Sequence, residues 1–94
     1  MSPWVEAHSQ EILELARRHG MTNVRVFGSM ARGEADEASD LDLLVDYAAG
    51  SNLFDQIGFK QELEERLRRT VDVATPKSLH WFIRDKVLAE AEPL

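Results

Sequence analysis

Two short apolar runs, Asn23-Val24-Arg25-Val26-Phe27 and Leu41-Asp42-Leu43-Leu44-Val45, are separated by only the thirteen residues Gly28 to Asp40. The first run is β-branched and alternating, and the second is apolar enough to be a mostly buried strand carrying Asp42 in its first half. A parallel pair needs a crossover of a dozen or more residues, usually a helix. The spacer here opens on Gly28-Ser29, continues through a short helical turn at Met30 to Gly33, and ends in the polar loop Glu34 to Ser39. So short a connection permits an antiparallel pair.

Helical periodicity flanks these strands. Ser2 before Pro3 reads as an N-cap with proline at the first helical position, and Gly20 after Arg17-Arg18-His19 as a C-terminal stop. Between them Val5, Ile12, Leu13, Leu15 and Ala16 share one side of the wheel. From Leu53 to about Arg69 the residues Leu53, Ile57, Leu63 and Leu67 predict a second core-facing helix, with Gly58 a break near its start. Val71 to Ala74 reads as a third strand ended by Thr75-Pro76. Lys77 to Ala91 is helical through Leu79, Phe82, Ile83 and Val87. The order α, β, turn, β, α, β, α predicts an α/β (α+β) fold, a small mixed sheet of about three strands flanked by helices. No linker or repeat interrupts it, so residues 1–94 read as one domain whose ligands bind in a shallow cleft.

Eleven Lys and Arg against 17 Asp and Glu give a formal charge of −6, which repels phosphate backbones and argues against direct nucleic-acid binding. The chain has no cysteine, which removes disulfides, thiolate zinc sites and thiol nucleophiles. No stretch approaches the ~20 apolar residues of a membrane span, and no signal sequence opens the chain. A cytoplasmic protein without a membrane partner is the expectation.

The chemistry is concentrated in Gly28-Ser29-Met30-Ala31-Arg32-Gly33 and Ser39-Asp40-Leu41-Asp42-Leu43-Leu44-Val45. Glycine at a strand end lets backbone N–H groups approach a phosphate, the following helical turn adds a favourable dipole, and Ser29 adds a hydroxyl donor. Asp40 and Asp42 lie two apart, so in an extended strand both carboxylates project from one face, as two adjacent divalent cations such as Mg²⁺ require. A lone Gly-Ser turn or a lone Asp-x-Asp is ordinarily structural. Both together in this spacing read as a phosphate site beside a metal site.

Gly28-Ser29, ten intervening residues and Asp40-x-Asp42 resemble the signature of the polymerase-β-like nucleotidyltransferase superfamily. The fuller motif, with Arg32-Gly33 and Ser39-Asp40-x-Asp42-Leu43-Leu44-Val45, is similar to its minimal (MNT) branch, and Val71 to Pro76 and Leu79 to Leu94 are similar to that branch's third-carboxylate strand and final helix. The resemblance implies the palm-type nucleotidyltransferase fold. It implies that Asp40, Asp42 and Asp72 bind two Mg²⁺, with Asp72 also helping to deprotonate the acceptor, and that Gly28 and Ser29 hold the triphosphate of ATP. It also implies an antitoxin partnered in a hetero-oligomer with a HEPN-domain ribonuclease toxin, to whose tyrosine hydroxyl AMP is transferred. The alternatives are a non-catalytic module that masks its partner, and a small-molecule nucleotidyltransferase, for which the chain has no second substrate-gripping domain.

Other residues carry less. Arg32 has two candidate roles: nucleotide phosphate contact, or pairing with a carboxylate or the Ser39 loop. Glu34, Asp36 and Glu37 are either solvated or weaken nucleotide binding. His8, His19 and His80 read as structural or surface residues, and Trp4 as a staple for the first helix. Trp81 and Leu88 lie opposite Leu79, Phe82, Ile83 and Val87, and a helix apolar on two sides implies either a partner surface or cover from the chain's own termini.

Overall fold

The computed structural model describes residues 1–94. Helix α1 (Pro3–Arg18) leads into strand β1 (Met21–Phe27), a 3₁₀ turn at Gly28–Met30, and β2 (Leu41–Tyr47). Helix α2 (Leu53–Leu67), β3 (Val71–Ala74), a second 3₁₀ turn at Pro76–Ser78, α3 (Trp81–Glu90) and β4 (Glu92–Pro93) complete the chain. The sheet order is β3-β2-β1-β4. β1 runs antiparallel to both β2 and β4, and β2 runs parallel to β3, with α2 as the crossover. The expectation of about three strands misses β4, two residues with a proline, too short to show alternation. No helix is long and apolar enough to cross a membrane.

The caps explain where the helices begin. Ser2 Oγ accepts from the Trp4 N–H at 3.2 Å, and α2 opens on a reciprocal capping box between Asn52 and Asp55. β1 begins two residues before its alternating run because Asn23, at φ +48°, sits in an irregularity of the β1–β2 register that breaks the alternation. α2 ends at Leu67, short of Arg69, because Arg68 turns left-handed at φ +51°. Gly58 does not break α2. A Cβ there would lie 3.2 Å from His19 Nδ1, so the glycine lets the end of α1 approach α2 closely, where His19 Nε2 meets Glu62 Oε1 at 2.8 Å.

Two helical readings are corrected. In α2 the buried residues are Phe59 and Leu63, whereas Leu53 and Ile57 in its first turns are exposed. α3 begins at Trp81, not Lys77, because Pro76–Ser78 closes into its own turn capped by Thr75 and Leu79 is extended. His80 then caps α3 through its ring, accepting from the Phe82 N–H at 3.1 Å. With Leu79 off the helix, the wheel drawn from Lys77 loses its reference. Leu79 and Val87 are buried, while Phe82 (75% exposed) and Ile83 (44%) join Trp81 (74%) and Leu88 (41%) at the surface.

The two faces of the sheet are unequally covered. Val24, Val26, Leu41, Leu43, Val45 and Val71 pack with Val5, Ile12 and Leu15 of α1 and Phe59 and Leu63 of α2 in the main core. The opposite face holds only Leu44 with Leu79 and Val87, edged by Phe27, Ala74 and Ala91. Side chains alternate along a strand, so with Leu41, Leu43 and Val45 in the main core, Asp42 falls on the thinly covered face.

Phe59→Ala should lower stability by about 3–5 kcal/mol, the range for emptying an aromatic core site, and Leu53→Ala by less than about 0.5 kcal/mol. Urea unfolding of the two variants checks which side of α2 faces the core.

Candidate active site

The turn after β1 and the start of β2 are locked together through a glycine. Gly28 has φ +75°, and a Cβ on it would lie 2.3 Å from Asp42 Oδ2. Only glycine allows this backbone conformation and this approach at once. The turn spans only Gly28–Met30, earlier than the expected Met30 to Gly33, so its dipole is slight. It is held by the Ala31 and Arg32 N–H groups donating to the Gly28 carbonyl at 3.1 and 3.2 Å, and by the Glu34 N–H donating to the Ser29 carbonyl at 2.9 Å.

The register brings the aspartates together. Phe27 on β1 pairs with Asp42, and Asp42 pairs with Asp72 on β3, so both aspartates stand on the open face. Asp40 lies one residue before β2 and, like Asp72, is exposed; Asp42 is half-buried. Burial first, and then the charges of Asp72, Asp40 and Glu90, push the Asp42 carboxyl up to about 6, with Arg32 acting in the opposite direction. Asp46, the next acid along this face of β2, is paired with Arg25 at 3.2 Å and with Asn23 at 2.8 Å. Asp42 is surrounded chiefly by further carboxylates.

Glu90, the last residue of α3, is the member of this cluster that the sequence reading missed. The available signal was an acid in a helix's final turn, where the dipole disfavours it. Its carboxylate accepts from Arg32 Nη1, and Arg32 Nε donates to Glu34 at 3.0 Å. These two hydrogen bonds, Glu34's first, raise the Arg32 pKa further above its ordinary value. Arg32 therefore pairs with carboxylates. The Ser39 loop is held instead by Arg69, whose Nη1 donates to the Ser39 and Asp36 carbonyls at 2.6 and 3.3 Å. Within that loop Asp36 accepts from the Ala38 N–H at 2.9 Å, so Glu34 and Asp36 both have partners in the fold. The histidines lie elsewhere: His8 stacks on Trp4 and bonds its carbonyl, His19 pairs with Glu62 and His80 caps α3.

The donor set suits a hard divalent cation: Asp40, Asp42 and Asp72 offer oxygen only, and Asp42 has more acidic than basic charge around it. No three of these side chains are closed around one point. Mg²⁺ ordinarily takes one or two carboxylates and completes its shell with water and substrate phosphate. The molecule's concavities do not include Asp40, Asp42 or Asp72; one of them lies toward the far end of β2, between Asp46, Tyr47, Thr75, Pro76 and Lys77. The three aspartates stand on an open face, where the expectation was a shallow cleft.

Asp42→Asn should stabilise the protein in the absence of divalent cations. The native carboxyl at about 6 lies above its ordinary value of 3.8, so wild-type stability falls as pH rises through that window and the penalty is complete above it. Water reaching a half-buried group screens most of the full shift, leaving about 1 kcal/mol. Urea midpoints should show this gain at pH 7.5 and little of it at pH 4.

Comparison with known proteins identifies the family and the fold. The nucleotidyltransferase domain family matches residues 9–93. A protein of Methanocaldococcus jannaschii, provisionally named a protein adenylyltransferase, is 42% identical over 82 residues, covering 87% of this chain and 88% of that protein. The protein adenylyltransferase MntA of Thermococcus cleftensis is 40% identical over 84 residues, covering 89% and 82%. A solved structure provisionally described as a minimal nucleotidyltransferase superposes over 100% of this chain and 97% of its own, with TM-score 0.84 and 45% identity. A toxin–antitoxin structure with AMP-PNP shares the fold at TM-score 0.75 and 22% identity, covering 89% of this chain and 69% of its own. The mixed sheet with its glycine turn seated on Asp42 is thus a nucleotidyltransferase fold, and the chain belongs to the nucleotidyltransferase domain family, among its minimal members.

Proposed function

We propose that this chain is an antitoxin-type protein adenylyltransferase that transfers AMP from ATP to a hydroxyl, a tyrosine in the leading reading, of a HEPN ribonuclease toxin and so neutralises it. The observation that carries the reading is the seating of the Gly28 turn against Asp42, with Asp72 opposite on the same open face. The adenylyltransferase names of the relatives and the toxin–antitoxin complexes among the fold neighbours support it. An open face also suits a protein acceptor, which supplies its own wall to the cleft.

In this reading Gly28 and Ser29 hold the triphosphate, and Asp40, Asp42 and Asp72 hold Mg²⁺. Bound there, two Mg²⁺ would lower the acceptor's pKa and offset charge on the departing pyrophosphate. Asp72, exposed at the edge of the sheet, accepts the acceptor's proton. The hydroxyl oxygen attacks the α-phosphorus in line with the bond to pyrophosphate, which breaks as the new phosphoester forms. In the same reading Arg32 meets a phosphate once part of its carboxylate pairing is released.

Incubation with labelled ATP, Mg²⁺ and a HEPN toxin encoded beside this chain tests the reading. Asp40→Asn and Asp42→Asn should each abolish labelling while leaving the fold intact. Asp72→Ala should slow single-turnover transfer at least tenfold more than it weakens ATP affinity, because the triphosphate is held mainly elsewhere. Labelling by the Asp40 and Asp42 variants at the wild-type rate would remove the metal assignment.

Masking of the toxin without transfer is the second reading, favoured by the exposed Trp81, Phe82, Ile83 and Leu88 on α3. The two modes are compatible: transfer needs the acceptor on the open aspartate face, and masking puts the partner on α3. Trp81→Ala should weaken toxin binding by about 2 kcal/mol and leave the melting temperature of the isolated chain nearly unchanged. A binding titration and a thermal melt check the two halves of that expectation.

A further inference from the structure

Arg32 is gripped by two carboxylates that differ in every physical respect. Glu90 ends α3 with its side chain 16% exposed, and Glu34 lies on the loop with its side chain 65% exposed. The backbone around Glu90 is fixed on both sides. Val87, one turn earlier, is buried against Leu44, the Ala91 N–H donates to the Val87 carbonyl at 2.9 Å, and Glu92 and Pro93 pair with Val26 and Arg25 of β1. Glu34 is tied at its own N–H to the Ser29 carbonyl, so its carboxylate hangs beside the turn assigned to the triphosphate.

The geometry points to a division of labour on one guanidinium: Glu90 is a positioning residue that aims Arg32 at the nucleotide, and Glu34 is a displaceable occupant whose place a phosphate of the nucleoside triphosphate takes. This inference rests on the nucleotidyltransferase reading above and adds to it how Arg32 is recruited. The Nε edge, which Glu34 occupies at 3.0 Å, is the edge of the guanidinium fork that takes an oxyanion side-on together with Nη2. Nη1 stays on Glu90. An exposed loop pair is weak, because water competes for both partners and ordering the side chains opposes it. A largely buried carboxylate that loses its cation is left unpaired, so the Glu90 contact persists. Exchange at the Nε edge also removes the Glu34 charge from beside the incoming phosphates.

Generic electrostatics and this proposal disagree in sign. Removing either acid reduces repulsion of a polyanion, so charge alone makes Glu34→Gln and Glu90→Gln both tighten binding. The proposal requires opposite effects: Glu34→Gln tightens binding of AMP-PNP with Mg²⁺ about threefold, and Glu90→Gln weakens it about tenfold, the worth of one charge-assisted hydrogen bond in aiming the guanidinium. With Arg32→Ala in the background, Glu90→Gln should no longer weaken binding, because its effect runs through Arg32. Glu90→Asp keeps the charge one methylene shorter and should recover part of the affinity. The experiment is calorimetric titration of the full chain and its variants with AMP-PNP and Mg²⁺, with a thermal melt of each. If Glu90→Gln does not fold, Glu34→Gln and Glu90→Asp decide: tightening by the first and mild weakening by the second support the proposal, and any other pairing overturns it. Effects of the same sign for Glu34→Gln and Glu90→Gln, or weakening by Glu90→Gln that survives Arg32→Ala, overturn this proposal alone. Failure of the unaltered chain to bind AMP-PNP overturns both it and the nucleotidyltransferase reading.

Discussion

The contact between Gly28 and Asp42 is the constraint on which the rest of the molecule turns. It fixes where β1 ends, because the chain must leave the sheet at φ +75° just where the carboxylate stands. It sets what β2 can put beside it, since Phe27 opposite Asp42 places Val26 opposite Leu43 and sends those two into the main core. A shift of one residue in this pairing would turn Asp42 into the core and Leu43 out. The hydrophobic pattern of β2 and the acid it displays are therefore one specification. The parallel pairing with β3 extends it, placing Asp72 beside Asp42 by the same alternation.

Function and stability pull against each other on that face. Asp42 is half-buried among acids, with its carboxyl pushed up to about 6, an arrangement that a fold selected for stability alone would replace. The stabilising material lies on the other side, where α1 and α2 bury nearly all the large fully enclosed side chains, Phe59 and Ile12 among them. The open face buries only Leu44, Leu79 and Val87, with Phe27, Ala74 and Ala91 partly buried at their edge. A small domain that covered both faces equally would be more stable and would leave the Asp42 face no open surface.

What the sequence displayed, it displayed where one local cause sufficed. Ser2-Pro3 set the start of α1 by capping, and the two apolar runs set β1 and β2 by alternation, whereas the Asn52–Asp55 capping box that opens α2 went unread. The chemistry-bearing Gly28-Ser29 and Asp40-x-Asp42 stood out because glycine and acid interrupt an otherwise apolar pattern. Legibility failed where two causes compete. The start of α3 depends on Pro76–Ser78 closing into a separate turn, which no wheel records. Apolar residues lie on more than one side of α2, so periodicity alone did not say that Phe59 faces inward and Leu53 outward, and Gly58, read as a break, meets His19 from a distant part of the chain. Glu90 joined the site only through the course of α3 back across the sheet, and β4 exists because that course ends beside β1.

α3 thereby links the two surfaces that matter. Its last residue reaches Arg32 beside the open face, and its first turns expose Trp81, Phe82 and Ile83. Ten residues at 1.5 Å each put these ends only about 15 Å apart, within the span of a single protein–protein interface. The helix is anchored to the sheet chiefly through Leu79, Val87 and Ala91, a modest apolar contact for an element that carries part of the site. A partner seated on the aromatic end would add buried area to that anchor and hold Glu90, and through it Arg32, more firmly. A partner on the outer surface of α3 would thus bear on the same short helix that carries Glu90 and its contact with Arg32.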